Sequence, residues 1–115
     1  MRLRPIERGD VFLLRPRAPK GKRPAGARLV VAVQNDLANA LAPATIVAAV
    51  RSGIRRGLPV HVAVPGTRGL PAGSVVDCGM LATVASRSLG ARLARLSSPC
   101  MARVDQALKT ALSLR

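Results

Sequence analysis

The sequence predicts a mainly β (α+β) domain, a small barrel or curled sheet of about five to seven short strands with one C-terminal amphipathic helix packed on it. Three observations carry that expectation. Short apolar runs rich in Val, Ala and Leu recur between loops studded with Pro and Gly. Only the last segment keeps a clear helical period. At 115 residues the chain is long enough for one core and not for two, so 1–115 reads as a single domain.

Each element has its own local reason. "RGDVFLLR" (8–15) is a turn at Gly9-Asp10 followed by four apolar residues, hence a first strand. "PRAPKGKRPAGA" (16–27) carries three prolines and two glycines and is the densest basic loop. "RLVVAVQND" is the second strand, closed by Gln34, Asn35 and Asp36, and "ATIVAAV" (44–50) a third, small or β-branched throughout and buried on both faces. "RSGIRRGLP" (51–59) is a second basic loop. "VHVAV" (60–64) alternates, with Val60, Val62 and Val64 on one face and His61 and Ala63 on the other.

After the loop 65–73, "SVVDCGMLATVA" (74–85) holds one or two strands, and "SRSLGARLARL" (86–96) fits either a turn plus strand or a helix. Ser98 is the expected N-cap of the final helix, with Pro99 in its first turn. Met101, Val104, Leu108 and Leu112 recur on one side of that helix, and Arg103, Asp105 and Lys109 on the other.

Charge is the strongest compositional signal. Nineteen Lys and Arg face five Asp and Glu, a formal net charge of +14, which favours a polyanionic partner such as RNA, DNA or an acidic protein segment. Phe12 is the sole aromatic residue, so stacking of bases on aromatic platforms is not the route to single strands. No run approaches the ~18 apolar residues of a membrane span, and "MRLRPIERGD" lacks the apolar centre of a signal peptide, so a cytoplasmic protein is expected. Cys78 and Cys100 show no metal-ligand spacing and read as reduced, semi-buried thiols. His61 reads as a partly exposed sheet histidine. Five scattered carboxylates do not suggest a paired-carboxylate mechanism, and no nucleotide-binding glycine fingerprint or metal cluster is present. No cofactor is expected.

The two basic loops end or begin at strands. If those strands are neighbours, Arg28 and Arg51 share a rim and converge on one anion, as suits a phosphate under displacement. The alternative is solvated cationic surface.

From Arg8-Gly9-Asp10-Val11, through Arg28, Gln34-Asn35-Asp36, Asn39, Pro43 and Ile46-Val47-Ala48-Ala49, the sequence resembles the MazF/PemK toxins of bacterial toxin–antitoxin pairs. The likeness continues through Leu58-Pro59, His61-Val62, Gly69-Leu70-Pro71, Ser74-Val75-Val76, Arg87, Leu89-Gly90 and Arg92-Leu93 into Met101–Leu108, essentially the whole chain. The resemblance implies an SH3-like barrel and a homodimer whose groove takes an acidic antitoxin segment. It implies a metal-free endoribonuclease that cuts single-stranded mRNA to 2′,3′-cyclic phosphate and 5′-OH ends.

It also implies site residues. Arg28 matches the family's catalytic arginine, with Leu29 in place of the usual proline. Arg51 stands where the family has its catalytic threonine, and Ser52 follows. The family's Gly-Ser-Glu-Gln loop corresponds to Gly21-Lys22-Arg23-Pro24, and its Glu-Gln-Ile-Arg-Thr segment to Gly79-Met80-Leu81-Ala82-Thr83. The expected catalytic set is therefore Arg28, Arg51 and Ser52. The expected RNA-binding set is Lys20, Lys22, Arg23, Gln34, Asn35, Arg55, Arg56 and Thr83. With so many site positions changed, the expectation is an attenuated enzyme; the alternative is an inactive module that binds RNA or the antitoxin.

Overall fold

The computed structural model describes residues 5–15, 28–53 and 57–115. Six strands form one antiparallel sheet: β1 (Asp10–Leu14), β2 (Arg28–Ala32), β3 (Ala44–Arg51), β4 (His61–Ala63), β5 (Val75–Ala85) and β6 (Leu89–Arg95). Two α-helices, α1 (Asp36–Leu41) and α2 (Ser98–Ala111), complete the described elements with a short 3-10 turn at Ser86–Ser88. The strand order is β4-β5-β3-β2-β1-β6. The expected mainly β architecture with a C-terminal helix is present, and 86–96 is a turn followed by a strand.

Alternation along the strands sorts side chains between two cores. Val11, Val31, Ala48, Val50, Val62, Val64, Val76 and Cys78 face α2 and meet its Cys100, Val104 and Ala107. Ile6, Phe12, Val30, Ala32, Val47 and Leu89 form a smaller cluster on the other side. With Phe12 the one aromatic, the interior relies on many small contacts, each buried valine contributing roughly 2 kcal/mol.

Four sequence expectations need correction. The strand at 28–36 stops at Ala32, because Asn35 caps α1 by accepting a 2.8 Å bond from the Ala38 N–H; a six-residue helix is too short to announce itself by period. The cap of α2 is Ser97 rather than Ser98, its hydroxyl accepting from Cys100 N–H at 3.3 Å. Leu112 lies beyond the packed stripe and is exposed, its place in the interior taken by Cys100 and Ala107. The strand at 44–50 is also less enclosed than expected, since Ile46 lies on the surface while Thr45, Val47, Ala48 and Val50 are buried.

The motifs that carry the resemblance hold the frame together. Gly9 adopts φ 95°, a turn that a side chain would strain, with the Met101 side chain close by. Arg8 before it reaches Asp105 on α2 and donates through Nε to the Val33 carbonyl at 2.8 Å. Asp10 after it is buried and accepts from Arg92 and Arg95 on β6. Gln34 Nε2 donates to Asn39 Oδ1 (3.0 Å) and to the Ala44 carbonyl (3.1 Å), while the Thr45 hydroxyl donates to Asn39 Oδ1 at 2.7 Å. These bonds satisfy polar groups where the chain leaves β2, passes through α1 and re-enters the sheet as β3.

Candidate functional site

β2 and β3 are antiparallel neighbours with Val30 opposite Ala49, and extending that register sets Arg28 across from Arg51. Both arginines line one groove of about 660 Å³, whose walls are Leu14, Leu29, Val30, Val47, Ala49, Val50, Met80, Leu81 and Ala82. Arg28 is exposed and has no acidic partner among the described residues. Arg51 is half-exposed and donates from Nη1 to Asp77 Oδ2 at 3.2 Å. Two arginines along one groove with mostly apolar walls are donors of the kind that suit an anion.

The floor of this groove comes from an irregularity in β5. Ala48 pairs with Leu81, but the next β3 residue, Ala49, pairs with Asp77, so Cys78, Gly79 and Met80 have no β3 partners. The bulge turns Met80 to within 3.5 Å of Arg51 Nη1. Asp77 closes it by accepting from the Gly79 N–H at 3.0 Å.

The expected site residues divide. Arg28 and Arg51 come together. Ser52 is exposed just past β3, outside the groove lining, and Thr83 pairs with Ile46 further along β5, also outside it. Gln34 and Asn35 are spent on bracing and capping α1. Lys20, Lys22, Arg23, Arg55 and Arg56 lie outside the described residues.

Sequence reasoning missed Asp77. Its signal was a lone acid in the valine-rich "SVVDC", beside a strand bearing the one histidine.

Other chemistry is unsupported. All five carboxylates are engaged: Glu7 with Arg95, Asp10 with Arg92 and Arg95, Asp36 with the Arg8 N–H, Asp77 with Arg51, and Asp105 with Arg8. Burial, with Asp77 and Asp105 adding like-charge repulsion, pushes the Cys78 thiol up to about 11, so it stays protonated and inert at neutral pH. Its Sγ lies 3.9 Å from the Val104 carbonyl, in the core. Cys100 is also buried and free. His61 is a partly exposed strand residue as expected, its side chain 10% accessible. No group of three metal-ligating side chains occurs among the described residues. A second groove, about 750 Å³, separates β4 from α2, but its one arginine, Arg103, already bonds the Ala63 carbonyl.

Comparison with known proteins then decides the lineage. Residues 7–112 match the family described as PemK-like, MazF-like toxin of type II toxin-antitoxin system. The chain belongs to the PemK/MazF family.

It is 36% identical over 111 residues to endoribonuclease MazF of Staphylococcus epidermidis, covering 95% of this chain and 92% of that protein. It is 32% identical over 111 residues to endoribonuclease EndoA of Bacillus subtilis, covering 95% and 96%. Among solved structures, a mycobacterial endoribonuclease in complex with its cognate antitoxin is similar with a TM-score of 0.79 at 25% identity, covering 95% of this chain and 96% of the other. A MazE-MazF structure from Deinococcus radiodurans shares the fold, with a TM-score of 0.76 at 20% identity and coverage of 97% and 99%. This PemK/MazF chain thus comes from a family of toxin endoribonucleases of toxin–antitoxin systems. Among its described residues no helix is long and apolar enough to cross a membrane.

Proposed function

We propose that this PemK/MazF chain is a toxin that cleaves single-stranded mRNA at specific sequences without metal, leaving 2′,3′-cyclic phosphate and 5′-OH ends. The observation that supports it is the pair of arginines, Arg28 and Arg51, lining one groove. In this reading the ribose 2′-oxygen attacks the adjacent phosphorus, the 5′-oxygen leaves, and charge accumulates on the non-bridging oxygens. Arg28 and Arg51 donate to those oxygens, and Arg28 also donates toward the leaving oxygen. A guanidinium keeps its protons throughout the working range of an enzyme and offers no lone pair, so an arginine does not take the 2′-OH proton. That proton goes to solvent, and solvent returns one to the departing 5′-oxygen, which Arg28 steadies by a hydrogen bond.

The described groove offers no hydroxyl, imidazole or carboxylate in its lining. Turnover is therefore slow, since a positioned base contributes about 10²–10⁴-fold where one is present. In this reading Ser52 and Thr83 and the charges of Lys20, Lys22, Arg23, Arg55 and Arg56 serve RNA binding, while Gln34 and Asn35 contribute by holding α1 in place. The chain works as a homodimer in the cytoplasm, and an acidic antitoxin segment silences it by occupying the same cationic groove. The mycobacterial relative solved with its cognate antitoxin supports that pairing.

The same bare lining favours a second reading, a non-catalytic member that keeps only the binding groove. One experiment separates them: metal-free incubation of purified protein with long single-stranded RNA, beside Arg28→Ala, with mapping of end groups. Discrete cuts bearing cyclic phosphate, reduced about 10²–10³-fold in the variant, support the nuclease. Intact RNA with retained binding supports the module.

A further inference from the structure

Arg51 is not a loose surface cation. Its β3 position lies diagonal to Asp77 on β5, since Arg51 pairs with Val75 and Ala49 with Asp77, so both side chains share one face. On the far side His61 of β4 pairs with Asp77 directly and shares that face. The intervening residues Val50, Val76 and Val62 enter the core opposite. Sheet register alone therefore lines up His61, Asp77 and Arg51.

The bonding within the line has a direction. Asp77 is 4% exposed, and an unpaired carboxylate would not persist at that depth. Oδ1 accepts from Gly79 N–H and Oδ2 from Arg51 Nη1. His61 Nε2 stands 3.5 Å from the same Oδ2. His61 Nδ1 is buried without a partner. Nε2 is therefore the ring nitrogen that faces Asp77. Among the described residues, the contacts of the Arg51 guanidinium run through Nη1, to Asp77 and Met80. Within that set, Nε and Nη2 keep their N–H groups for another acceptor.

We propose that Asp77 is a positioning residue of the anion groove, pinning Arg51 by one nitrogen so that the rest of its guanidinium meets an RNA phosphate, with His61 bracing the carboxylate from behind. The inference rests on the reading of the Arg28–Arg51 groove as a phosphate site. An arginine fixed before binding loses less freedom when the phosphate arrives, and its donors stand where charge develops. Asp77 touches neither RNA nor the reacting atoms. It acts through Arg51.

The test uses the full chain as wild type, Asp77→Asn, Arg51→Ala and the double variant. Asparagine keeps the shape and an acceptor for Gly79 while removing the charge. Arginine side-chain Nε–Hε NMR signals are recorded with and without a 2′-O-methyl single-stranded oligoribonucleotide, which binds but cannot supply the attacking oxygen. Single-turnover cleavage of ordinary RNA is measured alongside.

The expected result is a resolved Arg51 signal that shifts with oligonucleotide and collapses toward the exposed arginines in Asp77→Asn. Cleavage at saturating RNA falls about tenfold in that variant while oligonucleotide affinity is kept, because a negative charge has been removed. Asp77→Asn has no further effect on cleavage once Arg51 is alanine. The proposal is overturned if the Arg51 signal is already averaged in wild type, if oligonucleotide leaves it unmoved, or if Asp77→Asn lowers cleavage equally in both backgrounds. If wild type leaves RNA intact while the Asp77-dependent signal still answers to oligonucleotide, the positioning inference stands and the nuclease reading falls.

Discussion

Two buried aspartates in this molecule hold arginines, and they do so to different ends. Asp10, 3% exposed, sits between β1 and β6 and draws in Arg92 (3.3 Å) and Arg95 (2.8 Å), with the Glu7 N–H at 3.0 Å completing the carboxylate. Arg95 is shared with Glu7, so this network closes on itself, away from the groove. Asp77, 4% exposed, holds a single arginine that opens into the groove, and it sits at a three-residue bulge. Equal burial and similar bonds thus give a strap at one site and an aimed cation at the other. What separates them is where the arginine's remaining donors point.

The largest test of that contrast is Asp10→Ala. It removes the shared acceptor of two arginines, and because Arg92 and Arg95 are 36% and 48% accessible and stay solvated, the cost is about 2–3 kcal/mol rather than that of a fully buried pair. Urea denaturation should show the loss, with RNA affinity of the folded fraction unchanged. A fall in affinity at constant stability would erase the distinction. Asp77→Asn should invert the pattern, with an activity loss of about tenfold, near 1.4 kcal/mol, and a smaller change in urea midpoint than Asp10→Ala.

A third prediction concerns pH. The Cys78 thiol, next to Asp77 in sequence, titrates near 11 in the folded protein against 9.0 for a free thiol. A raised folded value means that its contribution is whole below pH 9 and is lost as pH climbs through 11. Stability by denaturant titration should fall across that window more steeply in wild type than in Cys78→Ala, although the variant starts lower because it leaves a cavity. By contrast, cleavage should rise steadily between pH 6 and 8.5 without a bell, because no group of near-neutral pKa lines the described groove.

The smallest effect is in salt dependence. Three neutralised phosphates predict a log–log slope near −2 for single strands, and Arg28→Ala should reduce it by about 0.7. Asp10→Ala should leave the slope unchanged. A shift there would mean that the strap arginines also touch RNA.

Strands, turns and the last helix were legible because each follows from a local period: alternation in "VHVAV", Pro and Gly between apolar runs, and the recurrence of Met101, Val104 and Leu108. Helix α1 escaped because six residues give barely more than one period, and Asn35-Asp36 read equally well as the end of a strand. The arginine pair could be stated only conditionally, since Arg28 and Arg51 are 23 residues apart and meet only if β2 and β3 are neighbours. The role of Asp77 was hidden for the same reason, since the lone acid stood out but its partners lie on two other strands.

The residues that identified the family, among them Arg8, Gly9, Asp10, Gln34, Asn35 and Asn39, turn out to hold the frame. That is why resemblance spoke more clearly about fold than about chemistry. By itself the sequence determined the mainly β class, the C-terminal helix, the cationic balance and the family, because these depend on composition and on contacts between near neighbours. Tertiary structure alone decided which of the sixteen arginines matter to one another, because register and the β5 bulge set which side chains share a face. A cation's role depends on that placement, and no local pattern encodes it.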